Sequence, residues 1–84
     1  MTNEEVINEF LHQRKAAGKN SLASILYNNN TIYSYGEHFI MGVITGSKEI
    51  TITTRKYSAT TSNQTSLLAG MAAQDGYTIT REAL

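Results

Sequence analysis

Residues 57–66 read Tyr-Ser-Ala-Thr-Thr-Ser-Asn-Gln-Thr-Ser, and the change of pattern within them decides the fold. Before this stretch the chain alternates like a strand, and after it apolar residues recur at helical spacing. Thr61 is followed three residues later by Gln64, which is the spacing of a capping box. The sequence therefore predicts a strand that turns here into a helix, whose first amide groups are of the kind that can bind an anion.

The predicted second helix covers about residues 62–74, and Gly76 is expected to end it. Gly70 lies in its interior, where glycine is unfavourable, so it indicates either a closely packed neighbour or a tolerated cost. The short run 77–80 predicts a further strand. The buried face of this helix is expected to consist of four apolar residues: Leu67, Leu68, Met71 and Ala72.

A first amphipathic helix is predicted over about residues 3–17. Thr2 and Glu5 have the spacing of a capping box at its start, and Gly18 is expected to end it. Its apolar face repeats at intervals of three and four: Val6, Ile7, Phe10, Leu11 and Ala17.

Between the helices the sequence predicts two hairpins. The apolar runs 22–27 and 31–35 are separated by three asparagines, which tolerate positive φ and so close a short turn. The runs 39–44 and 50–54 form the second pair. In the last strand Ile50 and Ile52 are expected to face the core, with Thr51 and Thr53 facing solvent.

This order of elements lacks a regular βαβ alternation, and the chain has no proline. We therefore predict a single α+β domain over residues 1–84, with a small antiparallel sheet of four to five strands packed against two helices. A core of this size is small and has no cysteine to reinforce it. Either well-idealised packing or association is expected to compensate, which leaves a homodimer open.

Composition restricts the function classes. Seven basic and seven acidic residues cancel, so no long-range field favours nucleic acid or an anionic membrane. Only two histidines are present, and His12 falls on the polar side of the first helix, so we expect neither a metal nor another cofactor. The acidic start and the absence of a long apolar run predict a cytoplasmic protein with no membrane partner.

One candidate site is the aromatic segment 33–39, Tyr-Ser-Tyr-Gly-Glu-His-Phe. Tyrosine combines a large contact area with a polar tip, as is common at recognition surfaces, although it is also an ordinary strand residue at the rim of a core. A general acid–base pair of Glu37 and His38 is disfavoured, because neighbouring strand residues point to opposite faces. The candidate protein-binding residues are Tyr33, Tyr35, Glu37 and His38.

A second candidate site is the cation- and hydroxyl-rich segment before the second helix. Two cations, several hydroxyls and a helix start are groups that a phosphate or carboxylate binds. The alternative is a polar loop whose hydroxyls only cap the helix. No serine lies in a Gly-x-Ser-x-Gly setting, so a nucleophile is not supported. The candidate anion-binding residues are Arg55, Lys56, Ser58, Thr60, Thr61 and Ser62.

Segment 33–39, together with Tyr-Ser-Ala-Thr-Thr-Ser at 57–62 and the helix that follows, resembles a family of small proteins from phages and other mobile elements. The likeness covers roughly residues 31–75. Relatives commonly continue the Thr-Thr-Ser run with lysine, histidine and glutamine, whereas this chain has Asn63, Gln64 and Thr65. The resemblance implies a protein that acts by occupying a surface of a host protein, such as a nuclease or sensor of antiviral defence.

Taken together, these features predict a non-catalytic protein-binding module that inhibits or modulates a host protein in the host cytoplasm. The alternative is an accessory nucleic-acid or phosphate-ligand binder that uses Arg55, Lys56 and the helix start at Thr61. A small enzyme is disfavoured, because no pair or triad of side chains with the required geometry can be assembled from the sequence.

Overall fold

The computed structural model describes residues 2–12, 17–19, 25–34, 39–56 and 58–84. It confirms the α+β class: within these residues, two helices pack on one sheet of six strands. In chain order the elements are α1 (Asn3–His12), β1 (Ala17–Lys19), β2 (Ile25–Asn28), β3 (Thr31–Ser34), β4 (Phe39–Gly46), β5 (Glu49–Thr53), α2 (Ala59–Gln74) and β6 (Thr78–Glu82).

The sheet is mixed, which corrects the prediction of four to five antiparallel strands. The strands lie side by side in chain order, and β1 to β5 are antiparallel neighbours. The last strand, β6, is parallel to β5. The reason is the crossover through α2, a helix of 16 residues that carries the chain back along the sheet before β6 begins.

The first helix begins as predicted and ends earlier. The Thr2 amide donates to the Glu5 carboxylate over 2.8 Å, and the Glu5 amide donates to the Thr2 hydroxyl over 3.2 Å, which confirms the capping box. The helix ends at His12, and Ala17 and Gly18 lie in strand β1, so their predicted helical roles were wrong. Residues 13–16 lie outside the described residues.

Gly18 is required for packing. A Cβ atom on Gly18 would lie 2.6 Å from Cε2 of Tyr27, its partner across the β1–β2 ladder. The Tyr27 ring is held in place, because its hydroxyl donates to the Glu9 carboxylate over 2.8 Å and the ring packs against Phe10, with 5.6 Å between the centroids and 56° between the planes. The strand therefore approaches the ring as closely as it does because residue 18 has no side chain.

Both predicted hairpins are present. Strands β2 and β3 are joined at Asn29, which has φ 55°, and β4 and β5 are joined at Lys48, which has φ 57°. Asparagine tolerates this left-handed conformation well, as predicted, whereas lysine at the same conformation is uncommon. The predicted strand residues 22–24 and 35 lie outside the described residues.

The second helix begins three residues before the predicted start. Ser58 is its N-cap, with extended backbone (φ −158°, ψ 171°) and a hydroxyl that accepts from the Thr61 amide over 3.1 Å. The predicted capping box of Thr61 and Gln64 was therefore wrong, because both side chains point into the protein. Gly76 ends the helix as predicted, with φ 80°.

The core lies between the helices and one face of the sheet, which we call the inner face. Leu68 and Ala72 are buried as predicted, whereas Leu67 and Met71 are only partly buried. Ile50 and Ile52 face the core as predicted. The core consists of Val6, Ile7, Phe10, Leu11, Ile25, Tyr27, Ile32, Phe39, Met41, Ile50, Ile52, Leu68 and Ala72.

Thr51 and Thr53 were predicted to be exposed to solvent, and this prediction was wrong. They alternate with the core isoleucines, yet Thr51 is 8% exposed and Thr53 is 1% exposed. Strand β5 has a neighbour on each side, with Thr51 beside Val43 and Thr80, so side chains of adjacent strands cover it. The Thr53 hydroxyl also accepts from the Arg55 amide over 3.1 Å.

Candidate binding face

The face of the sheet opposite the helices, here called the outer face, carries a row of apolar and aromatic side chains. Leu26 on β2 pairs with Tyr33 on β3, and Tyr33 pairs with Ile40 on β4. Side chains that are directly opposite across a ladder share a face, so three neighbouring strands contribute one continuous row. We call Leu26, Tyr33 and Ile40 the outer row.

The outer row is separate from the core. None of its three members belongs to the core cluster, and Leu26 and Tyr33 are half-buried. Ile40 is 36% exposed and is the large hydrophobic side chain that stands out on the described surface. A β-bulge between Ile32 and Tyr33 shifts the β3–β4 register, so that Tyr33 meets Ile40.

Beside the outer row lies a second row of β-branched residues. Thr31 pairs with Val43, Val43 with Thr51, and Thr51 with Thr80 across β3 to β6. Short β-branched side chains have little rotamer freedom and pack flat on a sheet. The outer row is therefore flanked by a flat, weakly polar part of the same face.

Only part of the predicted aromatic site falls in the described residues. Tyr33 lies on the outer face, at the centre of the outer row. Tyr35, Glu37 and His38 lie outside the described residues, and so does the proposed Glu37–His38 pair.

The predicted anion site contains two exposed cations, and hydroxyls that are already hydrogen-bonded within the protein. Arg55 and Lys56 are exposed between β5 and α2, and Thr60 is exposed in the first turn of the helix. Ser62 is half-buried, and its amide donates to the Ser58 carbonyl over 2.9 Å. The Ser58 hydroxyl caps α2 and donates to the Thr61 hydroxyl over 3.2 Å.

Those engaged hydroxyls belong to a buried polar cluster that sequence reasoning missed. The Ser34 hydroxyl donates to Oε1 of Gln64 over 2.7 Å and lies 3.4 Å from the Thr61 hydroxyl. The Thr65 hydroxyl donates to the Thr61 carbonyl over 2.9 Å. All four residues are buried, and each buried side-chain nitrogen or oxygen of the described residues has a partner. The cluster is therefore satisfied internally.

The buried cluster brings the two candidate segments together. Ser34 is the last described residue of the aromatic segment before Phe39, and Thr61 belongs to the helix start that follows Arg55 and Lys56. Strand β3 therefore ends where α2 begins. The aromatic residue Tyr33 and the cations lie at the same end of the sheet, as do the ends of β5 and β6.

A second group of titratable residues lies at the opposite end of the sheet. His12, Lys48 and Tyr77 line a cleft of about 410 Å³ with Leu11, Ile44, Gly46 and Ser47. The Lys48 ammonium lies 4.9 Å from the centroid of the Tyr77 ring, and the Tyr77 hydroxyl donates to the Leu11 carbonyl. Burial, and then the nearby charge of Asp75, raise the pKa of the Tyr77 hydroxyl.

The histidine in this cleft is held from both sides. Nδ1 of His12 lies 2.8 Å from the Asn8 carbonyl, and Nε2 lies 3.3 Å from the Asp75 carboxylate. A catalytic triad needs one nitrogen facing the carboxylate and the other facing the nucleophile. Here neither nitrogen faces Ser47, so this Ser, His and Asp combination does not form a triad.

Among the described residues, no group of three or more His, Cys, Asp or Glu side chains could hold a metal ion. Neither helix in the described part of the chain combines the length and the apolar character needed to cross a membrane. Comparison of the chain with family models, with curated proteins and with solved structures finds no match.

Proposed function

We propose that this protein is a non-catalytic protein-binding module whose contact surface is the outer face of the sheet. The observation that carries the proposal is Ile40, which is 36% exposed beside the half-buried Tyr33. Large apolar and tyrosine side chains in one cluster are typical of the centre of a protein–protein interface. The strand ladders hold the row in place before binding, which reduces the entropy lost on association.

We further propose that the partner is a host protein, for example a defence nuclease, which the module inhibits or modulates in the host cytoplasm. The resemblance of residues 33–39 and 57–62 to phage and mobile-element proteins supports this part. The state of His12 is consistent with binding rather than catalysis, because both of its ring nitrogens are occupied.

The second candidate function is binding of nucleic acid or a phosphate ligand at the end of β5. The observation in its favour is that Arg55 and Lys56 are adjacent and exposed, next to a helix whose first turn has no acidic residue. Phosphate contacts release counterions, so affinity in this case falls steeply with salt. A contact through the outer row depends on salt only weakly.

The two functions are separated by affinity capture from host lysate, with and without nuclease. The wild-type protein is compared with Ile40→Thr, which keeps strand propensity but removes apolar surface, and with Arg55→Ala. Gln74→Ala, at an exposed position on α2, is the matched control. A host protein retained in stoichiometric amount after nuclease, lost with Ile40→Thr and kept with Gln74→Ala, supports the binding module. Capture that disappears with nuclease or with Arg55→Ala supports the second function instead.

A further inference from the structure

The last strand, β6, is an edge of the sheet that the described residues form. It is the last strand in the order of the sheet, beside β5, and four of its five residues are exposed. The strand at the other edge, β1, has only three residues. An edge strand presents a row of unpaired backbone groups to any strand that can lie beside it. The length of β6 and its lack of proline leave this row usable for pairing.

The hydrogen bonds between β5 and β6 show which backbone groups of β6 face outward. The Thr78 amide donates to the Lys48 carbonyl over 2.7 Å, and the Thr54 amide donates to the Glu82 carbonyl over 2.8 Å. Alternate residues of a strand bond to the same neighbour, so Thr78, Thr80 and Glu82 face β5. The amide and carbonyl groups of Ile79 and Arg81 consequently face away from the sheet.

We propose that this edge pairs with the same edge of a second copy of the chain, antiparallel and with the two-fold axis at Ile79. Ile79 then lies opposite Ile79 of the partner subunit, and both side chains are on the inner face. Tyr77 lies opposite Arg81 of the partner subunit, and Thr78 lies opposite Thr80 of the partner subunit. An isologous pair of this kind joins the two sheets into one.

Apolar character favours this register, and repulsion between arginines disfavours one alternative. The axis at Ile79 places Arg81 of the partner subunit opposite Tyr77 and away from Arg81 of the first subunit. The Lys48 ammonium already lies 4.9 Å from the centroid of the Tyr77 ring, so the contact between the two Ile79 side chains, and not this arginine, favours the register. An axis at Arg81 would place two arginines directly opposite each other, which is unfavourable. An axis at Thr80 would place each half-buried Ile79 opposite an arginine. Of these three axes, the one at Ile79 places apolar side chains directly opposite each other.

This inference does not depend on the proposed function, because it requires only the protein itself. A two-fold axis through paired edges is perpendicular to the sheet, so both outer faces point to the same side. The dimer would therefore present two copies of the outer row to one partner, and a partner with two sites would bind with higher avidity than one row allows.

The test combines sedimentation equilibrium with amide hydrogen exchange at several protein concentrations. We expect dimers at high concentration, with the Ile79 and Arg81 amides exchanging more slowly as the dimer forms. The Thr80 and Glu82 amides bond to β5 in both states and should not change with concentration. A protein that is monomeric throughout would overturn the inference, and so would a dimer in which the Ile79 and Arg81 amides stay fast.

Two substitutions at Arg81 test the backbone contact. Arg81→Pro removes an outward amide and leaves the ladder to β5 intact, so it should abolish dimerisation. Arg81→Ala keeps the outward amide, so it should retain the dimer and serves as the matched control. Retained dimerisation of Arg81→Pro would show that another surface joins the two copies.

Discussion

The hydroxyl of Ser34, at the end of β3, donates to Oε1 of Gln64 in α2 over 2.7 Å, and both side chains are buried. This contact fixes the beginning of α2 against the sheet. It also means that the polar residues at the start of the helix serve the interior of the protein, because their hydrogen bonds are made within it.

Replacing Ser34 by Ala removes the donor and leaves the Gln64 carbonyl buried without it. The expected cost is about 1–3 kcal/mol of unfolding free energy, since an unsatisfied buried acceptor loses its solvation. Ser47→Ala, in an exposed turn, is the matched control and should change stability by less than about 0.5 kcal/mol. Urea unfolding measures both. An equal effect for the two variants would mean that the cluster contributes nothing specific.

Gly70 and Gly76 should respond to alanine with opposite signs. Both have open space where a Cβ would be placed, but Gly76 has φ 80° and Gly70 lies in the interior of α2. Gly70→Ala should stabilise the protein by about 0.5–1 kcal/mol, because alanine is the better helix former. Gly76→Ala should destabilise it by about 1 kcal/mol, because a Cβ is strained in the left-handed conformation. Thermal unfolding of the two variants tests this prediction. A change of melting temperature with the same sign in both would contradict this explanation.

The Tyr27 hydroxyl should make stability fall at alkaline pH. Burial, and then its hydrogen bond to Glu9, raise the pKa of Tyr27 to about 12. The folded state therefore holds this proton more tightly than the unfolded state, whose tyrosine has a pKa of about 10. The stabilisation is complete below about pH 10 and is lost as the pH rises towards about 12, by up to about 2–3 kcal/mol.

Urea unfolding between about pH 9 and about pH 12 measures this dependence in the wild-type protein and in Tyr27→Phe. The variant should start lower, by about 1 kcal/mol, because it lacks the bond to Glu9. It should then lose less stability with rising pH, and its remaining loss reflects other tyrosines such as Tyr77. Parallel curves for the two proteins would assign the loss to groups other than Tyr27.

The contact between His12 and Asp75, which is an ion pair when the imidazole is protonated, joins the ends of the two helices, and its contribution should be small. The two side chains are 36% and 29% exposed, so solvent screens their attraction. A double-mutant cycle with His12→Ala and Asp75→Ala should give a coupling of about 0.2–1 kcal/mol that decreases with salt. A coupling of several kcal/mol that persists in high salt would contradict the solvent-screened geometry.

The sequence predicted what local chemistry decides. The capping box of Thr2 and Glu5, the Asn29 turn and the Gly76 helix end depend on neighbouring residues, and all three are confirmed. The parallel pairing of β6 could not be predicted in this way, because it depends on where α2 returns the chain. The role of Gly18 could not be predicted locally either, because the Tyr27 ring that excludes a side chain at residue 18 is nine residues away, on another strand.

The candidate site was harder to predict, because its residues come from three strands. A one-residue bulge places Tyr33 beside Ile40, and no pattern in the neighbouring sequence indicates that register. The buried role of Thr61 and Gln64 did have a signal. They lie seven and four residues before Leu68, on the same helical face as Leu68 and Ala72, so an extension of that face would have included them.

The outer row is tested most directly by measuring the affinity of the captured partner for Tyr33→Thr and Ile40→Thr, beside the melting temperature of each variant. We predict that each substitution weakens binding by at least about 2 kcal/mol, or about thirtyfold in Kd, while the melting temperature stays within a few degrees. Gln74→Ala should bind like the wild-type protein. Unchanged affinity in both outer-row variants, with their folds intact, would contradict the claim that this face is the binding surface.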